Sequence, residues 1–187
     1  MSAINPKIIL DKGILQLPKD VDVSKVLQPN GIDLNVLEVF EIGNNPLVLG
    51  DDVPTKHRYS EDKKLEELSF PYKQDGYSKY EGLKGFRLER GKSYKVETGY
   101  KLTLPEDMIA YIFTRSSLNR NGVLTGSGLW DSGYTGFVGA TLYAFQDTIL
   151  IPPARIAQIV FFHAESALLY NGSYNDLTIK TNKVETN

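Results

Sequence analysis

Between Thr114 and Gly122 the chain reads Thr-Arg-Ser-Ser-Leu-Asn-Arg-Asn-Gly, which gathers the guanidiniums of Arg115 and Arg120 and the hydroxyls of Ser116 and Ser117 near one turn. A guanidinium offers a planar fork of donors that matches phosphate oxygens in pairs, and hydroxyls beside free backbone N–H groups complete an anion-binding concavity. The plainer reading is a solvated turn with surface arginines. Further on, Gly126-Ser127-Gly128-Leu129-Trp130-Asp131-Ser132-Gly133-Tyr134-Thr135-Gly136 makes a glycine-rich hairpin. Glycine lets a flat ligand approach the backbone. Asp131 has the chemistry to orient and deprotonate a water, and Tyr134 has a ring face for a base or sugar. The alternative is an Asp131 that bonds its own turn beside a half-buried turn tyrosine, and spacing does not choose between them. Arg155-Ile156-Ala157-Gln158 opens an apolar strand in which Gln158 is either an edge residue or a phosphate donor. Gly31-Ile32-Asp33-Leu34 sets a carboxylate on the strand face opposite its apolar neighbours. It reads equally as a half-exposed strand aspartate or as a carboxylate that touches Mg2+ through water.

Such groups need a frame, and the rest of the sequence describes one. Asn5 followed by Pro6, then Lys7-Ile8-Ile9-Leu10-Asp11-Lys12-Gly13, supplies a cap, a proline at the first helical position and a glycine stop, so a short N-terminal helix is predicted. After Pro29-Asn30-Gly31 the apolar residues Ile32, Leu34 and Val36 alternate, the period of a strand with one face buried. Strand-rich runs recur at Tyr94–Val96, Tyr100–Leu104, Met108–Phe113, Phe137–Phe145 and Ile156–Phe162, divided by Gly99 and Pro105. Turns this closely spaced favour an all-β sandwich or barrel. Residues 51–84 are crowded with charged, Tyr, Gly and Ser residues and read as a polar surface excursion, with one helical turn from Ser60. Residues 171–187 are polar and read as a mobile C-terminal tail.

The 187 residues, 41% hydrophobic and 24% charged, suffice for one core, so residues 1–187 read as a single domain. A net charge of -2 gives no bulk attraction to nucleic acid or to an anionic membrane. No apolar run approaches the ~20 residues of a membrane span and no signal sequence opens the chain, which therefore reads as soluble and intracellular. The absence of cysteine excludes disulfides, thiol nucleophiles and the His-x-Glu plus Pro-Cys-x-x-Cys zinc deaminase site.

Gln28–Leu34, Arg115–Gly122, Gly128–Gly136 and Arg155–Gln158, in this order, resemble the motifs of the dUTPase and dCTP deaminase superfamily, over nearly the whole chain. The resemblance implies an all-β, distorted β-barrel or jelly-roll fold with a short N-terminal helix. That helix, Arg-Ser-Ser-Leu rather than Arg-Ser-Gly, and the Tyr170–Tyr174 segment are more similar to the deaminase branch than to the shorter dUTPases. Carried over residue by residue, Asp131 would activate water for attack on the α-phosphate, and Tyr134 would pack near the deoxyribose. Arg115, Ser116, Ser117 and Gln158 would hold the triphosphate, with Arg120 near the base or phosphates. Gly126 opens the hairpin whose backbone groups have the chemistry to select uracil, and Tyr170 and Tyr174 belong to a tail that resembles the deaminase type and lacks the glycine-rich, arginine-containing closing arm of classical dUTPases. Asp33 would touch Mg2+ indirectly, through water, while the ion rides on the phosphates.

Ten residues after Asp131, deaminases of this superfamily carry a glutamate that moves protons during attack on cytosine, and this chain has Thr141. A threonine hydroxyl is no general base near neutral pH, and losing a positioned acid-base group typically forfeits ~10²–10⁴ in rate. Alternation along Phe137–Tyr143 puts Thr141 on the face of Gly139 and Tyr143, away from Val138, Ala140 and Leu142. The tail also departs, with Ser173 where deaminases usually carry lysine. The resemblance therefore implies a homotrimeric dUTP pyrophosphatase that uses Mg2+ and gives dUMP and pyrophosphate. The alternatives are a dCTP deaminase, alone or bifunctional, and a non-catalytic nucleotide-binding regulator.

Overall fold

The computed structural model of the chain describes residues 2–43, 62–69, 82–172 and 175. Helix α1, Pro6–Asp11, starts where the sequence places it. The Asn5 side chain accepts from the Lys7 N–H, Pro6 occupies the first turn, and Gly13 leaves with φ of 66°. A side-chain cap of this kind stabilises a helix by about 1 kcal/mol. Only one face of α1 is covered: Ile9 is fully buried while Ile8 stays exposed. A second short helix, α2 (Val23–Val26), is capped by Asp22, and a third, α3 (Ser116–Arg120), takes up residues that the sequence reads as a turn.

The strands lie in three sheets. The first is built on β8 (Ser93–Thr103), whose burial alternates residue by residue as one-sided strands require. On one edge it pairs antiparallel with β11 (Thr135–Ala144), which pairs in turn with β10 (Val123–Gly126). The other edge of β8 receives β1 (Leu15–Gln16) and β4 (Glu38–Glu41), and β4 carries β5 (Lys63–Lys64). The second sheet runs β2 (Leu27–Gln28), β3 (Gly31–Asn35), β13 (Arg155–His163), β9 (Met108–Thr114), all antiparallel. A third joins β12 (Thr148–Leu150), β7 (Lys84–Leu88) and β6 (Leu68–Ser69).

The inward residues of the first two sheets form one continuous apolar cluster. Tyr94, Val96, Leu102 and Leu142 come from the first, and Ile32, Leu34, Ile159 and Phe161 from the second. The Tyr100 hydroxyl crosses this core to donate to the Asp33 carbonyl at 3.3 Å, and burial pushes its phenol up to about 12. The architecture is thus the all-β, jelly-roll type expected, as packed sheets with no closed barrel among the described strands.

Two local expectations change. The break expected at Gly99 is a bulge inside β8. Phe137 pairs with Lys101 but Gly139 with Glu97, and Gly99 takes φ of 74° to absorb the extra residues. In the 51–84 excursion, the described residues 62–69 hold the short strand β5, which pairs with β4, and the short strand β6, which pairs with β7. Ser60 itself lies outside the described residues.

Candidate active site

Asp33 sits at the middle of β3. Ile32 and Leu34 point into the core, so Asp33 takes the other face, as alternation requires. It is nevertheless only 1% exposed, the one charged residue that is buried among the described residues. Neighbouring strands supply the donors. Its Oδ2 accepts from Arg155 Nη1 at 3.1 Å and from Gln28 Nε2 at 3.3 Å, and lies 3.3 Å from Arg115 Nε. Its Oδ1 accepts from Gln158 Nε2 at 3.4 Å. Register explains the convergence, since Gln158 of β13 stands directly opposite both Asp33 of β3 and Phe113 of β9. Arg115 follows the end of β9, and its Nη1 also donates to the Arg155 carbonyl at 3.3 Å. Segments more than a hundred residues apart therefore build one cluster of two guanidiniums, two amides and a single carboxylate.

Ser116, Ser117 and Arg120 extend from it on α3, all three exposed. The end of β10 is tied to β9 beside them, because Thr125 N–H donates to Thr114 Oγ1 at 2.8 Å. From there the chain runs along the edge of β9 away from the cluster. Trp130 and Ala110 exchange both backbone hydrogen bonds, and the buried Ser132 hydroxyl donates to the Met108 carbonyl at 2.8 Å. These contacts hold a tight turn in which Tyr134 N–H donates to the Asp131 carbonyl and Gly133 adopts φ of 82°. The Asp131 side chain projects into solvent from this turn with no hydrogen-bond partner among the described residues. The Asx-type contact is therefore not made there.

Tyr134 points the other way. It is 7% exposed, its hydroxyl donates to the Phe137 carbonyl at 3.1 Å, and burial pushes its phenol above the usual tyrosine range. The Tyr170 ring meets it edge to face with centroids 5.5 Å apart. Tyr170 is brought there by its N–H, which donates to the Ser132 carbonyl, while the Asn175 side chain accepts from Thr135 N–H at 3.0 Å. Tyr170 and Asn175 thus pack against the Asp131 turn; Tyr174 lies outside the described residues.

Gly126 pairs with Thr141, and Thr141 with Lys95 on its other side. Burial along β11 puts Thr141 on the outer face with Gly139 and Tyr143, as alternation predicts. A side chain at Gly126 would meet the Tyr143 ring at 3.0 Å. A cleft of about 470 Å3 bordered by Leu37, Lys64 and Phe86 shares no residue with these groups.

Arg155 is the residue that sequence reasoning passes over. It opens the Arg155–Gln158 motif but carries there the pattern of a surface residue at a strand start, and its pairing with Asp33 is what gives it a place in the cluster.

The family model described as dCTP deaminase-like matches residues 8–164. The chain belongs to that family. It is similar to a probable deoxyuridine 5'-triphosphate nucleotidohydrolase of Methanopyrus kandleri, 32% identical over 150 residues that cover 79% of this chain and 86% of the relative. A deoxyuridine 5'-triphosphate nucleotidohydrolase of Methanocaldococcus jannaschii is 30% identical over the same length, again covering 79% of this chain and 86% of the relative. In three dimensions the family fold is matched by the crystal structure of 2'-deoxycytidine 5'-triphosphate deaminase from Agrobacterium tumefaciens. The TM-score is 0.64 at 20% identity over 91% of this chain, which spans half the length of that protein.

No helix among the described residues is long and apolar enough to cross a membrane. Nor do the described residues gather three or more acidic or histidine side chains in one place that could hold a metal ion.

Proposed function

We propose that this member of the dCTP deaminase-like family is a dUTP pyrophosphatase, converting dUTP and water to dUMP and pyrophosphate inside the cell. The observation that carries the reading is the pairing of an exposed Asp131 on a rigid turn with Thr141 at the position where a deaminase needs an acid-base carboxylate. The names of the archaeal relatives point the same way.

Hydrolysis at an α-phosphate demands positioning and charge stabilisation more than covalent chemistry. Asp131 orients one water and takes its proton as the water oxygen bonds to the α-phosphorus. The bond to the bridging oxygen of the β-phosphate breaks, and pyrophosphate leaves with that electron pair. Arg115, Ser116, Ser117 and Gln158 bind the phosphates, and Arg120 lies on the same helix within reach of base or phosphate. Tyr134, backed by Tyr170, presents a fixed surface to the deoxyribose, with Tyr174 further along the tail. The backbone around Gly126 reads the uracil edge. Bound Mg2+ would supply positive charge to offset that developing on the phosphate oxygens.

The spacing of these parts favours a homotrimer with shared sites. Asp131 lies one strand beyond β9 and Asp33 two strands on the opposite side, with a further offset of four residues along the strands, because Trp130 pairs with Ala110 while Asp33 is level with Phe113. Sheet dimensions make that a separation of about 20 Å. The Arg115 guanidinium is moreover turned toward Asp33 and away from the Asp131 turn. One α-phosphate does not meet both groups of a single chain, whereas a symmetric assembly brings one copy's turn to its neighbour's arginines.

Purified protein incubated with Mg2+ and either dUTP or dCTP tests the reading, with nucleotides, pyrophosphate and ammonia followed together. The expected result is dUMP and pyrophosphate from dUTP with dCTP intact. Ammonia from dCTP would replace this reading with the deaminase. Binding of dUTP without turnover would replace it with the non-catalytic regulator.

A further inference from the structure

The buried carboxylate of Asp33 is enclosed by positive and amide donors. Its Oδ2 meets Arg155 Nη1, Gln28 Nε2 and Arg115 Nε, and its Oδ1 accepts from Gln158 Nε2. Its side chain is only 2% exposed. A hydrated Mg2+ approaching Asp33 would need to bring a bound water onto this covered carboxylate, between two guanidiniums. Both the burial and the two like charges oppose that approach. Asp33 does not fit the part of a metal contact.

What the cluster does fit is anion binding. Arg155 is fixed at one end, because Nη1 donates to Asp33 and also to the Lys25 carbonyl at 2.8 Å at the close of α2. Arg115 is fixed through Nε and through Nη1 on the Arg155 carbonyl. Each guanidinium keeps further N–H groups uncommitted among the described residues. The side chains remain 27% and 37% exposed for Arg115 and Arg155. Two positive charges against one negative leave a net positive, pre-aimed pair, and pre-organised planar forks are what bidentate phosphate recognition uses. We propose that Arg155 is a second polyphosphate-binding guanidinium beside Arg115, and that Asp33 is the positioning residue that aims both and makes no contact with the metal. This rests on the reading that a nucleoside triphosphate binds here.

Inorganic pyrophosphate in the presence of EDTA is the probe, with affinity measured by calorimetry on the intact protein. Arg155→Gln is expected to weaken pyrophosphate binding ~10-fold or more, and Arg155→Lys to recover part of the loss, since lysine keeps the charge without the fork. Asp33→Asn is expected to weaken it to a similar degree and to raise KM for dUTP, with kcat and the half-saturating Mg2+ concentration little changed. Wild-type affinity in Arg155→Gln, or tighter binding or a shifted Mg2+ requirement in Asp33→Asn, would overturn the proposal. Should Asp33→Asn fail to fold, Mn2+ titration of the wild-type protein by electron paramagnetic resonance answers the metal question. No stoichiometric ion is expected without polyphosphate, and one bound ion per chain would be contrary. If pyrophosphate binding depends on Arg155 but dUTP is not hydrolysed, the inference stands and the proposed function falls. If dUTP is hydrolysed equally by Arg155→Gln, the reverse holds.

Discussion

Asp131 and Asp33 are both aspartates of the candidate site, and their surroundings are opposite. Asp131 is exposed, unpartnered among the described residues and held only through its backbone, which leaves its carboxylate available to a water. Asp33 is buried among its donors. Asp131→Asn removes the proposed base without touching the Tyr134 N–H to Asp131 carbonyl bond, so stability should stay within about 0.5 kcal/mol of wild type, as for surface substitutions. The kcat for dUTP should fall ~10²–10⁴-fold with KM little changed, and steady-state kinetics beside a thermal melt would show both. A variant that keeps most of its kcat would remove Asp131 from the mechanism. The strand faces were legible in sequence: alternation alone puts Asp33 and Thr141 opposite the core residues. The burial of Asp33 was not legible, because its partners Arg115 and Arg155 lie 82 and 122 residues away and reach it only through the pairing of β3, β13 and β9. No local period encodes that pairing.

Strands set the spacing of the cluster, and Gly31 shows how tightly. A Cβ there would lie 2.6 Å from the Ile159 carbonyl oxygen and 2.7 Å from Cγ of Gln158, the residue that bonds Asp33. Gly31→Ala must therefore push β3 off β13, at about 1–3 kcal/mol for overpacking of this kind. KM for dUTP should rise with it, since Gln158 and Asp33 shift together. Gly128→Ala is the matched control, with nothing within 4 Å of its added carbon, and should leave urea denaturation unchanged. Equal stability of the two variants would contradict the close approach. At this scale the sequence foretold α1, whose cap and stop are local, and the one-sided strands, whose period is two. It did not foretell α3, or β8 continuing through Gly99, because both depend on what neighbours make of a few ambiguous residues. The Arg-Ser-Ser segment becomes a helical turn once β9 ends against the Ile156 carbonyl, to which the Arg115 N–H donates.

The whole molecule is bound across its core by tyrosines as well as by aliphatic packing. Burial pushes the phenols of Tyr94, Tyr100 and Tyr134 upward, Tyr100 to about 12. The sign follows from linkage: the unfolded chain releases these protons near pH 10 while the folded chain retains them. Their stabilisation is present in full below about pH 10 and is lost as pH climbs toward the folded values, at up to ~1.4 kcal/mol per pH unit for each tyrosine. Urea midpoints between pH 8 and pH 11.5 should fall more steeply for wild type than for Tyr100→Phe, and parallel slopes would discount the tyrosines. A second test addresses the assembly. If each site takes Arg115 from one copy and Asp131 from the next, Arg115→Gln and Asp131→Asn proteins are each inactive alone. Coexpressed, they form mixed trimers in which some sites receive the intact arginine from one variant and the intact aspartate from the other. With random assembly both groups are intact in about a quarter of sites, so about a quarter of wild-type activity should return. Were both groups supplied by the same chain, every site would carry one defect and mixing would restore nothing. The recovered activity, read against the fraction of mixed trimers by native mass spectrometry, thus turns the distance across the β9 sheet into a functional measurement.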